Sequence, residues 1–116
     1  MSGIDTRNVT SLDRTFLQTG YSAHTFVVNG LENWNVGNVT YSGGTFQRAG
    51  YNATTQFNIK GVESWRPTNM KNVTWMFANA GYNANYTLDL RNWGLTPTHT
   101  TSFKLNVESK ILTTFG

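Results

Sequence analysis

The chain predicts an α/β fold: a short solenoid of about three repeats with a stacked parallel sheet and a C-terminal capping strand. Three observations lead there. Phe-x-x-x-Gly-Tyr occurs at Phe16/Gly20/Tyr21, Phe46/Gly50/Tyr51 and Phe77/Gly81/Tyr82, with spacings of 30 and 31 residues, a period typical of stacked repeat units. Each copy then reaches a tryptophan, at Trp34, Trp65 or Trp93. Between the two lies a short segment of alternating apolar residues, the pattern of a half-buried strand. A chain of 116 residues is one domain in length. Its repeats divide at about 5–34, 35–65 and 66–95, leaving 96–116 as a cap.

Taken in order, each repeat opens eight residues before its phenylalanine, with Asn8-Val9-Thr10, Asn38-Val39-Thr40 and Asn69-Met70-Lys71. The spacing Val9, Leu12, Phe16 and Met70, Val73, Phe77 is three then four, which predicts a helical turn that the following glycine ends. Ser42, Gly43 and Gly44 suit such a turn poorly in the second copy. Next come Phe26-Val27-Val28, Phe57-Asn58-Ile59 and Leu88-Asp89-Leu90 as strands. Phe26, Phe57 and Leu88 are expected to form one buried ladder and Val28, Ile59 and Leu90 another. Val27, Asn58 and Asp89, continued by Asn29, Lys60 and Arg91, are expected on the opposite, exposed face. The tryptophans form a third buried ladder, because their place in the repeat does not vary. Beyond Trp93 the period fails: Thr96 to Thr101 reads as a polar loop, and Phe103, Leu105 and Val107 alternate as the capping strand.

These residues carry a resemblance. Trp34-Asn35-Val36-Gly37-Asn38-Val39-Thr40, Trp65-Arg66-Pro67-Thr68-Asn69-Met70 and Asn72-Val73-Thr74-Trp75-Met76-Phe77 resemble the W-D-x-S-N-V-T-x-M-x-x-M-F repeat of BspA-like leucine-rich-repeat surface proteins, a class first noted in mycoplasmas. The likeness covers roughly residues 5–95. The repeat here is longer by a Gly-Tyr-Asn-Ala insertion, and Leu12 and Thr15, or Ser42 and Thr45, stand where that family has paired methionines. The resemblance implies a leucine-rich-repeat-like solenoid with stacked parallel strands and a non-enzymatic role, such as adhesion, at a cell surface.

Composition narrows the function classes. No cysteine is present, so disulfides, thiolate metal sites and a cysteine nucleophile are excluded. Charged residues are 13%, against 14 Asn and 18 Thr, a surface solvated by amides and hydroxyls and commoner in extracellular, cell-wall or virion proteins. The net charge is +3, yet no two of the nine Lys and Arg are adjacent, whereas a nucleic-acid groove needs clustered cations. No apolar run reaches the length of a membrane span. Met1 to Thr10 lacks the basic and apolar regions of a signal peptide, so an exported form would carry its signal on a parent chain or have lost it.

Catalytic groups are sparse. His24 and His99 have no carboxylate within four residues, which leaves them as exposed loop residues rather than a general base or metal pair. Glu32 and Glu63 share one repeat position, about 5 Å apart if layers stack; close acids can serve glycoside hydrolysis or calcium, but the third copy has Arg91 there. Gly43-Gly44 lacks the lysine and spacing of a phosphate loop. The five Asn-x-Ser/Thr sites, at Asn8, Asn38, Asn52, Asn72 and Asn85, read first as turn residues bonding the backbone. No catalytic residue, metal or cofactor is expected.

Binding residues are expected on the exposed strand face, at Asn58, Lys60, Asp89 and Arg91. Tyr51 and Tyr82 form an edge beside it, on which aromatic faces and amides suit a hydroxyl-rich or peptide partner. The tyrosine row reads equally as packing staples over the glycines. Tyr41 and Trp75 fall outside the common ladders and are expected to be exposed. Together these readings predict a non-enzymatic adhesion module that binds a surface glycan or protein, located extracellularly, at a cell surface or on a virion. The alternative is a structural or decoration component of a phage virion or surface layer, with self-association or incorporation into a larger assembly. Nucleic acid and membrane insertion are not expected.

Overall fold

The computed structural model describes residues 6–95 and 97–115; Asp5, where the first repeat is expected to begin, and Thr96 of the polar loop lie outside them. Four short strands occur, β1 (Thr25–Val27), β2 (Gln56–Asn58), β3 (Leu88–Asp89) and β4 (Ile111–Leu112). Each of the first three runs on towards a 3₁₀ turn, at Leu31–Asn33, Lys60–Ser64 and Arg91–Trp93. A further 3₁₀ turn, Glu108–Lys110, precedes β4. β1 pairs in parallel with β2, placing Phe26 opposite Phe57, and β3 pairs in parallel with β4.

The most continuous interlayer bonding lies outside the strands, in the segment preceding each Gly-Tyr. In the first layer the N–H groups of Leu12, Arg14, Phe16 and Gln18 donate to the carbonyls of Tyr41, Gly43, Thr45 and Gln47 in the second. Ser42, Gly44, Phe46 and Arg48 repeat this onto the third layer, and Val73, Trp75, Phe77 and Asn79 onto His99, Thr101, Phe103 and Leu105. The intervening N–H groups close local turns instead, as in Thr15 to Leu12, Leu17 to Arg14 and Thr19 to Phe16. Alternate amides thus bond along and across the stack, which leaves few buried backbone donors unpaired. The geometry requires left-handed residues four apart: Arg14 and Gln18, Gly44 and Arg48, Trp75 and Asn79, Ser102 and Asn106, all with φ between 54 and 67°.

That pattern corrects two expectations. The spacing of Val9, Leu12 and Phe16 does not make a helical turn, because an α-helix bonds its amides within itself and would leave none to join the next layer. Phe103, Leu105 and Val107 do not form the capping strand; they belong to a fourth run of the same turns, and the terminal strand is Ile111–Leu112. The described part of the C-terminal segment is therefore a shortened fourth layer, with Phe115 set edge-on to Phe103 at 4.9 Å.

The core between layers is built from aligned side chains. Phe16, Phe46 and Phe77 stack at 5.0 and 5.3 Å, and Trp34, Trp65 and Trp93 at 6.1 Å each. Trp65 Nε1 donates to Leu31 O and Trp93 Nε1 to Val62 O, both at 2.8 Å, so the indoles bond each layer to the one before. Trp34, in the first layer, has its Nε1 buried without a partner among the described residues. Phe26, Phe57 and Leu88 are all buried, as expected of one ladder, and Phe26 lies opposite Phe57. Leu88 lies opposite Ile111, and Tyr86 places its ring on Phe57 at 4.5 Å. In the second ladder Ile59 and Leu90 are buried and Val28 is half-buried.

Candidate functional site

Strand geometry exposes Val27 and Asn58 and leaves Asp89 half-exposed, as alternation requires. Lys60 and Arg91 do not continue the strand face; each begins a 3₁₀ turn. The side chain two residues before each turn caps it: Asn58 Oδ1 accepts the Lys60 N–H at 2.9 Å and Asp89 Oδ1 the Arg91 N–H at 3.1 Å. This local acceptor role is the usual one for Asn and Asp at a turn. Arg91 then folds back on Asp89, with Nε to Oδ1 at 3.0 Å and Nη2 to Oδ2 at 2.9 Å. Those bonds from the guanidinium hold the Asp89 carboxyl down to about 2, and the carboxylate raises Arg91 in turn.

The expected single face is divided in two. β2 and β3 are not paired, and the Asp89 N–H donates to Glu63 Oε2 at 2.8 Å. One member of the Glu32 and Glu63 pair is thus engaged in holding the third layer. No group of three or more His, Asp or Glu among the described residues is placed to hold a metal ion. Both histidines are exposed; His99 Nδ1 lies 3.0 Å from Thr98 Oγ1.

Tyr51 and Tyr82 do come together, with Tyr21, as a column of parallel rings at 4.9 and 5.0 Å and interplanar angles of 11 and 12°. Because neighbouring rings cover each other's facing sides, the column offers ring edges and hydroxyls along its length. Tyr21 and Tyr82 are 38 and 41% exposed. Asn52 and Asn83 run beside it: Asn52 Nδ2 donates to Tyr21 O, and Asn83 Nδ2 to Tyr51 O and Asn52 Oδ1. The repeat asparagines therefore bond the backbone between layers, as Asn38 and Asn69 also do through Arg7 O and Gly37 O.

A second surface feature is a cleft of about 130 Å³ lined by Asp13, Arg14, Gly43, Gly44, Gln47, Thr74 and Trp75. Its origin is a register effect. Asp13-Arg14, Gly43-Gly44 and Thr74-Trp75 occupy one repeat position in three successive layers, and the middle pair has no side chains to fill its level. Trp75 is 40% and Tyr41 58% exposed, as expected of aromatics outside the ladders. In the sequence Gly43-Gly44 lacks the lysine and spacing of a phosphate loop, and nothing there marks Asp13, Arg14, Gln47 or Thr74 as site residues. The available signal was the alignment of the three copies at that position.

The sequence pattern of a family described as Mycoplasma protein of unknown function, DUF285, matches residues 1–111. No curated protein and no solved structure matches the chain. Among the described residues no helix is long and apolar enough to cross a membrane.

Proposed function

The chain belongs to that family, and from this premise we propose that it is a short leucine-rich-repeat-like solenoid of the BspA-like kind, a non-enzymatic module that recognises a glycan or protein partner outside the cell, at a cell or virion surface. The observation behind this reading is the Tyr21, Tyr51, Tyr82 column, whose rings repeat at 4.9 and 5.0 Å along the stack. Their hydroxyls have no hydrogen-bond partner among the described residues. A periodic row of unpartnered hydroxyls on a rigid support suits an extended partner bound by directional hydrogen bonds, and repeat proteins use their extended faces in this way. Lys60 and the Asn58 amide nitrogen add donors elsewhere on the strand ends. Asp89 and Arg91 satisfy each other and contribute to the shape of that edge.

Applying the labelled chain to immobilised glycans and to intact cells tests the reading. The double variant Tyr51→Phe, Tyr82→Phe keeps the stacked rings and removes two hydroxyls. It is expected to bind about tenfold more weakly, as befits the loss of about 1.4 kcal/mol, with an unchanged melting temperature. Stoichiometric incorporation into particles with no glycan or protein capture would favour the structural alternative.

A further inference from the structure

We propose that the cleft over Gly43 and Gly44 is a binding site for a single pyranose ring, the monosaccharide subsite of a glycan. This rests on the recognition reading above, but uses a different surface from the tyrosine column.

Position 75 must be left-handed, since its counterparts Arg14, Gly44 and Ser102 are too. A left-handed conformation disfavours a residue that bears a side chain, and glycine is the residue that avoids the penalty. The second copy has glycine there. The third has a tryptophan at φ 60° that is 40% exposed, so part of the indole lies at the surface.

Chemistry converges beside that indole. Gly43 leaves the space into which Asp13 reaches: a Cβ there would lie 2.9 Å from Asp13 Oδ1. A Cβ on Gly44 would lie 3.1 Å from Gln47 Oε1 and 3.4 Å from Arg14 Cγ. The two glycines thus form a floor over which a carboxylate, a carboxamide and the stem of a guanidinium side chain gather. Among the described residues none of these three side chains has a hydrogen-bond partner. The Thr74 hydroxyl, which donates to Asn72 Oδ1 at 2.8 Å, retains acceptor capacity.

A pyranose presents a C–H face that packs on an aromatic ring and a rim of hydroxyls that both donate and accept. Trp75 offers the ring; Asp13 accepts, Arg14 donates, and Gln47 does either. A peptide bound by strand addition requires free main-chain groups. Here the N–H groups of Arg14, Gly44 and Trp75 already donate to Gly43 O, Thr74 O and Thr101 O. At about 130 Å³ the cleft is below the size of ordinary drug-sized pockets, in keeping with an occupant of one ring.

The test uses the intact chain, with methyl β-D-glucopyranoside, methyl β-D-galactopyranoside and methyl α-D-mannopyranoside as probes to about 10 mM, tenfold above a dissociation constant near 1 mM. Two-dimensional NMR is expected to show at least one glycoside shifting the Trp75 indole N–H and the Gly43 and Gly44 amides saturably. Trp75→Gly and Arg14→Gly relieve left-handed strain, so both variants are expected to keep the parent melting temperature while weakening that response at least about tenfold. The proposal is overturned if no glycoside moves these signals, if the shifts map elsewhere, or if Trp75→Gly responds like the parent. It is also overturned if only peptides move them. A Trp75→Gly chain that is silent to glycosides yet still captures partners through the tyrosine column leaves both readings standing. A parent silent to glycosides that still captures partners removes this one alone.

Discussion

Asp89 and Arg91 show how a pair that looks like a binding site in sequence can be claimed by its own neighbourhood. Two residues apart, they sit at the start of a 3₁₀ turn, where the carboxylate accepts both the Arg91 N–H and the guanidinium. The Asp89 carboxyl is lowered from 3.8 to about 2 by those bonds. A depressed carboxyl stabilises the fold above its unfolded value, and that contribution is lost as pH falls through the folded one. The window is therefore about pH 4 to 2. Both side chains are well exposed, at 59% for Arg91 and 39% for Asp89, so salt will screen much of the effect. In Arg91→Gln the NMR titration of Asp89 is expected to return towards the ordinary carboxylate range. An unmoved midpoint would mean that the Arg91 guanidinium does not hold this carboxyl.

At the scale of the element, the turn run rather than the strand is the unit that joins one layer to the next, and its left-handed positions invert the usual effect of glycine. Arg48 has φ 58° with its N–H donated to Ala78 O. Glycine tolerates that conformation and keeps the same amide, so Arg48→Gly is expected to be neutral or stabilising by up to about 1 kcal/mol in chemical denaturation. A loss of more than about 1 kcal/mol would show that the arginine side chain is needed for packing. This element also marks where the sequence became hard to read. The Phe-x-x-x-Gly-Tyr and tryptophan ladders were legible because each ring meets its own counterpart one repeat on. The turn run was not, since left-handed residues four apart imitate helical spacing, and Arg14, Gln18, Arg48 and Trp75 lack the glycine that would signal them. In the third copy Tyr86, two residues before Leu88, takes the ring position on Phe57, while the Asp89 N–H turns to Glu63. Alternation placed the Asn58 and Asp89 side chains outward but could not show that Asp89 and Arg91 would pair, and the cleft was hidden because Gly43-Gly44 matters only through what lies in the layers on either side.

For the whole molecule, the layers share one core but not equally. Phe57 stands between Phe26 at 5.7 Å and Tyr86 at 4.5 Å, and a Cβ on Gly50 or Gly81 would lie within 2.9 Å of its ring. Phe57→Ala should therefore cost about 3 to 5 kcal/mol, a large part of the stability of a small domain; melting within a few degrees of the parent would refute this placement. The two ends differ as well. At the first layer Phe16 is only half-buried and Leu17 and Tyr21 are 37 and 38% exposed, while Phe46 and Ala49 of the second layer are at 0%. At the other end Phe103 is 1% exposed, covered by the edge of Phe115. The hydrogen bonds alone predict equal protection, since Phe16 and Gln18 donate to the second layer at 2.7 and 2.8 Å and Phe46 and Arg48 to the third at the same lengths. Packing predicts otherwise. In a stack held by nearest-neighbour interfaces, the first described layer opens by giving up the interface with the second, whereas the second must give up two. Amide hydrogen exchange is accordingly expected to be at least about tenfold faster at Phe16 and Gln18 than at Phe46 and Arg48, a difference of about 1.4 kcal/mol or more in opening free energy. Phe77 and Asn79, whose amides are held by the shortened fourth layer, should exchange at or near the slow rate. Equal rates across all six amides would mean that the stack opens only as a whole and that its layers are not separable units of stability.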